Sequence, residues 1–163
     1  MTTKFAANTT VPVIQSRGEI ERLLSRHRCS QFSTGVDHDQ HRAIVQFKAH
    51  NRIIKFEIRL PDPADKEYRK DRKGWVRGPA AIQKVVEQDE RQKWRALLLV
   101  IRAKLEAVEN GISTFEDEFM AHILLPNMQT VGQLVHPLIE RAYETGKIPD
   151  RLLLTEATVE VER

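Results

Sequence analysis

The densest chemistry in the chain lies between Pro61 and Gly78, in the segment PDPADKEYRKDRKGWVRG. Between Lys66 and Arg77, the residues Lys66, Arg69, Lys70, Arg72, Lys73 and Arg77 are set against Glu67 and Asp71, with Tyr68 and Trp75 interleaved. Clustered Lys and Arg neutralise phosphates and release counterions, and an aromatic ring stacks on an unpaired base. Lys48, Lys55 and Arg59 fall on the expected outer face of a hairpin just upstream and extend the same surface. A nucleic-acid contact through these residues is the leading expectation. The competing reading is a solvated, mobile linker whose aromatic rings tuck back onto the core, since a proline-flanked loop of this length is usually functional or mobile.

Arg91, Arg95 and Arg102 recur at spacings of four and seven, which puts them near one helical face. They could grip phosphates, or pair with Glu87 and Glu106 as a solvated stripe; Arg91 and Arg95, nearer the basic loop, join the expected nucleic-acid site. Glu106, Glu109, Glu116, Asp117 and Glu118 surround one turn. A metal-dependent nuclease needs converging carboxylates, but acids that open a helix complement its dipole without a metal. Glu57-Ile58-Arg59 echoes a restriction-type nuclease motif poorly, with arginine where lysine is usual. The six histidines do not cluster; His38 and His41 share a polar turn with Asp37 and Asp39. Arg26, His27 and Arg28 precede the single cysteine, Cys29, and could lower its pKa, but a half-buried small residue is the plainer reading. One cysteine excludes an intramolecular disulfide and a Cys-rich zinc site. There is no glycine-rich phosphate loop, no G-x-S-x-G and no H-E-x-x-H. No enzyme, cofactor or metal is therefore expected.

The elements that must position these residues are legible in part. A chain of 163 residues, 40% hydrophobic and 30% charged, suits one α+β domain over about residues 11–146, between a flexible start (1–10) and a polar tail (147–163). Its net charge of +3 is too mild to demand a nucleic-acid partner, so local clustering must do so. The opening MTTKFAANTT lacks the apolar stretch of a signal peptide. The longest apolar run, Ala96 to Ile101, is far short of a span. A cytoplasmic chain without a membrane partner is expected.

Val11 to Gln15 reads as an edge strand, then Ser16 and Glu19 as the capping box of a short helix over 17–28. A three-stranded antiparallel meander follows. With His50-Asn51 as a two-residue turn, Phe47 faces Ile54, Val45 faces Phe56 and Ala43 faces Ile58, all apolar and on one side. A long central helix runs from about Pro79 to Asn110, with Trp94, Leu97, Leu98, Ile101, Leu105 and Val108 as its core stripe and Gly111 as its stop. Its all-apolar ALLLVI centre predicts cover from the hairpin on one side and from the C-terminal helices on another. Two shorter helices follow, opened by capping boxes at Ser113/Glu116 and Thr130/Gln133. The first carries Phe115, Phe119, Ile123 and Leu124. The second closes at Gly146, with Pro137 expected to bend it or delay its start.

The segment KWRALLLVIRAKLEAVENGISTFEDEFMAHILLPNMQTV, Lys93 to Val131, resembles a family of small uncharacterised proteins of phages and prophages. The similarity extends to Ser16–Arg22 and to Arg42–Pro61, with Asn127-Met128 standing where an acidic-glycine turn is expected. The resemblance implies a mobile-element setting and no activity or site. The order helix, three strands, helix is also that of a double-stranded-RNA-binding domain, and a meander before a long helix is similar to phage single-strand annealing proteins; neither likeness rests on a motif. The expected function is a non-enzymatic accessory protein contacting nucleic acid or a nucleoprotein; the alternative is an inhibitor or adaptor binding a host or phage protein.

Overall fold

The computed structural model describes residues 5–71 and 73–147, so Arg72 and nearly all of the expected tail lie outside it. The fold is α+β: α1 (Val13–Arg26), a meander of β1 (Ser30–Asp37), β2 (Arg42–Ala49) and β3 (Arg52–Arg59), a single helical turn α2 (Lys66–Arg69), the long α3 (Pro79–Glu109), α4 (Phe115–Phe119) and α5 (Val131–Thr145).

The strands pair antiparallel in the order β1-β2-β3. The β2–β3 register is the one that alternation dictates: Phe47 opposite Ile54, Val45 opposite Phe56, Ala43 opposite Ile58. His50 and Asn51 both take positive φ, 46° and 58°, as a type I′ turn requires. One sheet face presents Ala43, Val45, Phe47, Ile54 and Phe56 to Ile20, Leu23 and Leu24 of α1 and to Trp94, Leu98, Ile101 and Leu105 of α3. Phe115 and Phe119 close this core at one end; the Phe119 ring meets Phe47 edge-on at 6.0 Å. Each fully buried aliphatic or aromatic side chain contributes about 1.5–3 kcal/mol.

Several expectations are corrected. The stretch from Val11 is not an edge strand, because α1 already begins at Val13 after Pro12, which makes no side-chain cap. Ser16 is a core residue inside α1, buried with Ile20, Leu23 and Leu24 at helical spacing, so it cannot cap. The second capping box is replaced by a simple cap one residue later: Thr114 Oγ1 accepts from the Asp117 N–H, and Ser113 stays in the loop. The α4 helix stops at Phe119 and a 3₁₀ turn follows over Met120–His122. Ile123 therefore leaves the helix to bridge Ile54, while the Leu124 N–H donates to the Ile53 carbonyl at 2.8 Å, which covers part of the β3 edge. The third capping box, Thr130 with Gln133, forms as read, and α5 runs through Pro137 from Val131 without a delayed start.

The centre of α3 is not covered all round. Leu97, Leu98 and Ile101 are buried, but Leu99 and Val100 remain 44% and 43% exposed. The physical reason is where α5 goes: it crosses the 3₁₀ turn through Gly132, the only buried residue of that helix, rather than lying on α3. Gly111 does end α3, at φ 67°, with its N–H on the Val108 carbonyl.

Candidate nucleic-acid interface

The basic segment is a folded turn hung between β3 and α3. Tyr68 anchors it: the ring is buried and its hydroxyl donates to Asp89 Oδ2 of α3 at 2.7 Å. Burial, then the Asp89 carboxylate, pushes the phenol pKa up, so the hydroxyl stays a donor. Arg77 is the internal clamp. Its N–H donates to the Arg69 carbonyl at 2.8 Å, and its guanidinium donates to the carbonyls of Glu67, Tyr68 and Lys70. Asp71 closes the tip, accepting from the Lys73 N–H at 2.8 Å and the Trp75 N–H at 2.9 Å. Its own N–H reaches the Trp75 carbonyl at 2.9 Å. Gly74 takes φ 86°, a conformation other residues rarely adopt. An isolated bridge joins Lys70 to Val76.

This scaffold uses up one expected ligand-binding cation and presents others. Arg77 serves the backbone. Lys66, Arg69, Lys70 and Lys73 are exposed and make no ion pair among the described residues. Trp75 stands 74% exposed at the tip. Arg59, 82% exposed in its side chain, lies beside the turn and reaches Asp65 at 3.9 Å. An exposed pair at that distance is worth little, so this cation remains available. Directly after the turn, α3 opens at Gly78 with no side-chain cap and no acid in its first turn. The positive end of its dipole thus adds to the local potential.

The other expected residues do not join this patch. Lys55 belongs to a chain of charges across the outer sheet face, 3.7 Å from Glu57, which also meets Arg42; Arg42 in turn pairs with Asp37 at 3.2 Å. Gln40 N–H and then Arg42 hold the Asp37 carboxyl below its usual range. Lys48 pairs in register with Ile53, near the opposite end of the hairpin from Arg59. Six residues of strand separate the two ends, about 20 Å. Arg91 and Arg95 are engaged within the fold. Arg91 donates to Gln88 Oε1, and Gln88 in turn ties down the Ala7 and Thr9 carbonyls. Arg95 donates to Glu19 of α1 at 2.7 Å, and that bond holds the Glu19 pKa down.

A second cluster was not foreseen as a unit. His27, at the C-cap of α1, brings its ring to Glu109 at 3.5 Å, and donor atoms of His27, Glu106 and Glu109 all lie within 4.8 Å of one another. The i, i+3 carboxylates were visible in the sequence, but the histidine arrives only through helix packing. The trio has the ligand types to hold a divalent ion; a direct contact between His27 and Glu109 accounts for it equally. Cys29 is not activated by its basic neighbours. Burial pushes its thiol up to about 11 by desolvating the thiolate. His41 pairs with Asp62 at 3.6 Å, and His122 stacks on Phe56 at 4.0 Å, where burial lowers its pKa.

Among the described residues no helix is long and apolar enough to cross a membrane. A comparison of the chain with protein families, curated proteins and solved structures finds no match.

Proposed function

We propose that this chain is a non-enzymatic accessory protein of a phage or prophage that contacts nucleic acid, or a nucleoprotein, through the turn at 66–77. The observation that carries the reading is the turn itself. Lys66, Arg69, Lys70 and Lys73 project from a backbone fixed by Arg77, Asp71 and Tyr68, and no acid among the described residues neutralises them. Each cation that neutralises a phosphate releases a counterion, so affinity falls steeply with salt. The mobile-element setting rests on the resemblance of Lys93–Val131. A gel shift at low salt, run with single- and double-stranded DNA and RNA, is expected to show binding. Changing Arg69, Lys70, Arg72 and Lys73 together to alanine is expected to remove it. Absence of binding at low salt, or binding unchanged in that variant, sinks the proposal.

One observation favours the rival, a protein-binding inhibitor or adaptor. The α5 helix leaves Leu134 and Ile139 about half exposed and Tyr143 fully in solvent. Exposed apolar side chains grouped on one element mark protein contacts. A stoichiometric protein partner recovered after nuclease treatment, and lost in a Leu134→Asp, Ile139→Asp variant, would support that reading instead.

A further inference from the structure

We propose that the ligand of the 66–77 turn is single-stranded nucleic acid, held by its phosphates on Lys66, Arg69, Lys70 and Lys73 and by one base stacked on Trp75. The inference rests on the nucleic-acid reading above and narrows it. Two tryptophans with opposite environments motivate it. Trp94 is 0% exposed in the core, while Trp75 is 74% exposed beside Val76, itself 79% exposed. An exposed indole costs apolar hydration, and here the fold holds it out. The Trp75 N–H and C=O are both tied to Asp71, at 2.9 Å each, and Gly74 turns the chain at φ 86° immediately before it. A backbone fixed in this way loses little entropy on binding.

The neighbours of the indole set the class of ligand. Lys73 sits two residues before it, and the Lys70 backbone bridges Val76 beside it, so cationic residues adjoin the indole along the turn. That is the combination by which single strands are held: a basic track with an aromatic platform, indifferent to sequence because every base has a π-face. A duplex fits less well. Its bases are already stacked, and reading it through the major groove takes a helix or a two-stranded ribbon. The only helix in the turn, α2, has four residues.

The test uses the intrinsic fluorescence of the full chain. Because Trp94 is enclosed, quenching by an added oligonucleotide reports Trp75. Oligothymidylate at low salt is expected to quench the emission, and a hairpin duplex of equal phosphate content to quench it far less. With affinities read from the anisotropy of labelled oligonucleotides, Trp75→Ala, checked for folding by circular dichroism, is expected to lower the ratio of single-strand to duplex affinity at least about tenfold, and Trp75→Phe to restore most of it. Equal binding of both ligands with no change in the ratio would overturn the single-strand inference and leave the phosphate reading standing. No binding of either ligand would overturn both. A blue shift with anionic vesicles, and none with oligonucleotide, would assign Trp75 to a lipid surface and overturn the inference as well.

Discussion

Arg77 shows how one residue can be misassigned by composition. In the chain it is one of six cations in a basic run; in space its guanidinium holds three carbonyls. Arg77→Ala should therefore destabilise the turn by about 1.5–3 kcal/mol, the usual cost of removing charged hydrogen bonds. Faster hydrogen exchange confined to residues 69–77 is the expected signature, and global unfolding or no change would both contradict it. Lys73→Ala, by contrast, removes no hydrogen bond of its side chain among those described and should leave exchange unaltered. Cys29 makes a second residue-level prediction. With its thiol pushed up to about 11, it stays protonated through neutral pH. Alkylation by iodoacetamide should be slow at pH 8 and rise as pH approaches 11. The thiolate is disfavoured in the fold, so its contribution to stability is complete below the unfolded pKa near 9 and is lost as pH rises through the folded value.

At the scale of the element, the hairpin and α3 were readable because their signals are local. A period of two around His50-Asn51 fixes the β2–β3 pairing, and Pro79 and Gly111 bracket one apolar stripe. The misread elements failed where two local signals competed. Ser16 looks like a cap, but its spacing to Ile20, Leu23 and Leu24 puts it on the buried stripe. Ser113 and Thr114 are both capping residues, and only the backbone after Gly111 decides between them. The position of α5 had no local signal at all, since it is set by contacts remote in sequence: the Val131 N–H donates to the Ile123 carbonyl at 3.0 Å, and Gly132 lies on the 3₁₀ turn. A Cβ there would come within 2.9 Å of the Ala121 carbonyl oxygen. Gly132→Ala is thus expected to cost about 1–3 kcal/mol, measurable as a lower denaturation midpoint. Leu138→Asp on the same helix should cost less than Phe119→Ala, which empties a fully buried site and should cost about 3–5 kcal/mol. Equal losses for these two would show that α5 is packed more tightly than its exposure indicates.

Among the described residues, several charges of the body are paired, while the turn after β3 gathers cations that are not. Asp37, Arg42, Glu57 and Lys55 cancel along the sheet, Glu19 cancels Arg95, and Asp89 holds Lys93 at 3.1 Å. The turn after β3 carries four exposed cations, Lys66, Arg69, Lys70 and Lys73, with no ion pair among the described residues, and the uncapped start of α3 lies behind it. A net charge of +3 does not reveal that local cluster. The basic loop as a candidate site was therefore legible from the cluster Lys66–Lys73. Its boundaries were not, because ion pairing of Arg95 and Lys55 depends on contacts remote in sequence or across strands. The most direct test is fluorescence anisotropy of a labelled single strand titrated across a salt series. Four phosphate contacts predict that log K falls against log salt with a slope of about −3, and that alanine at Lys66, Arg69, Lys70 and Lys73 removes most of that slope. A slope near zero in the unaltered chain, or a steep slope that survives those four substitutions, would contradict the account.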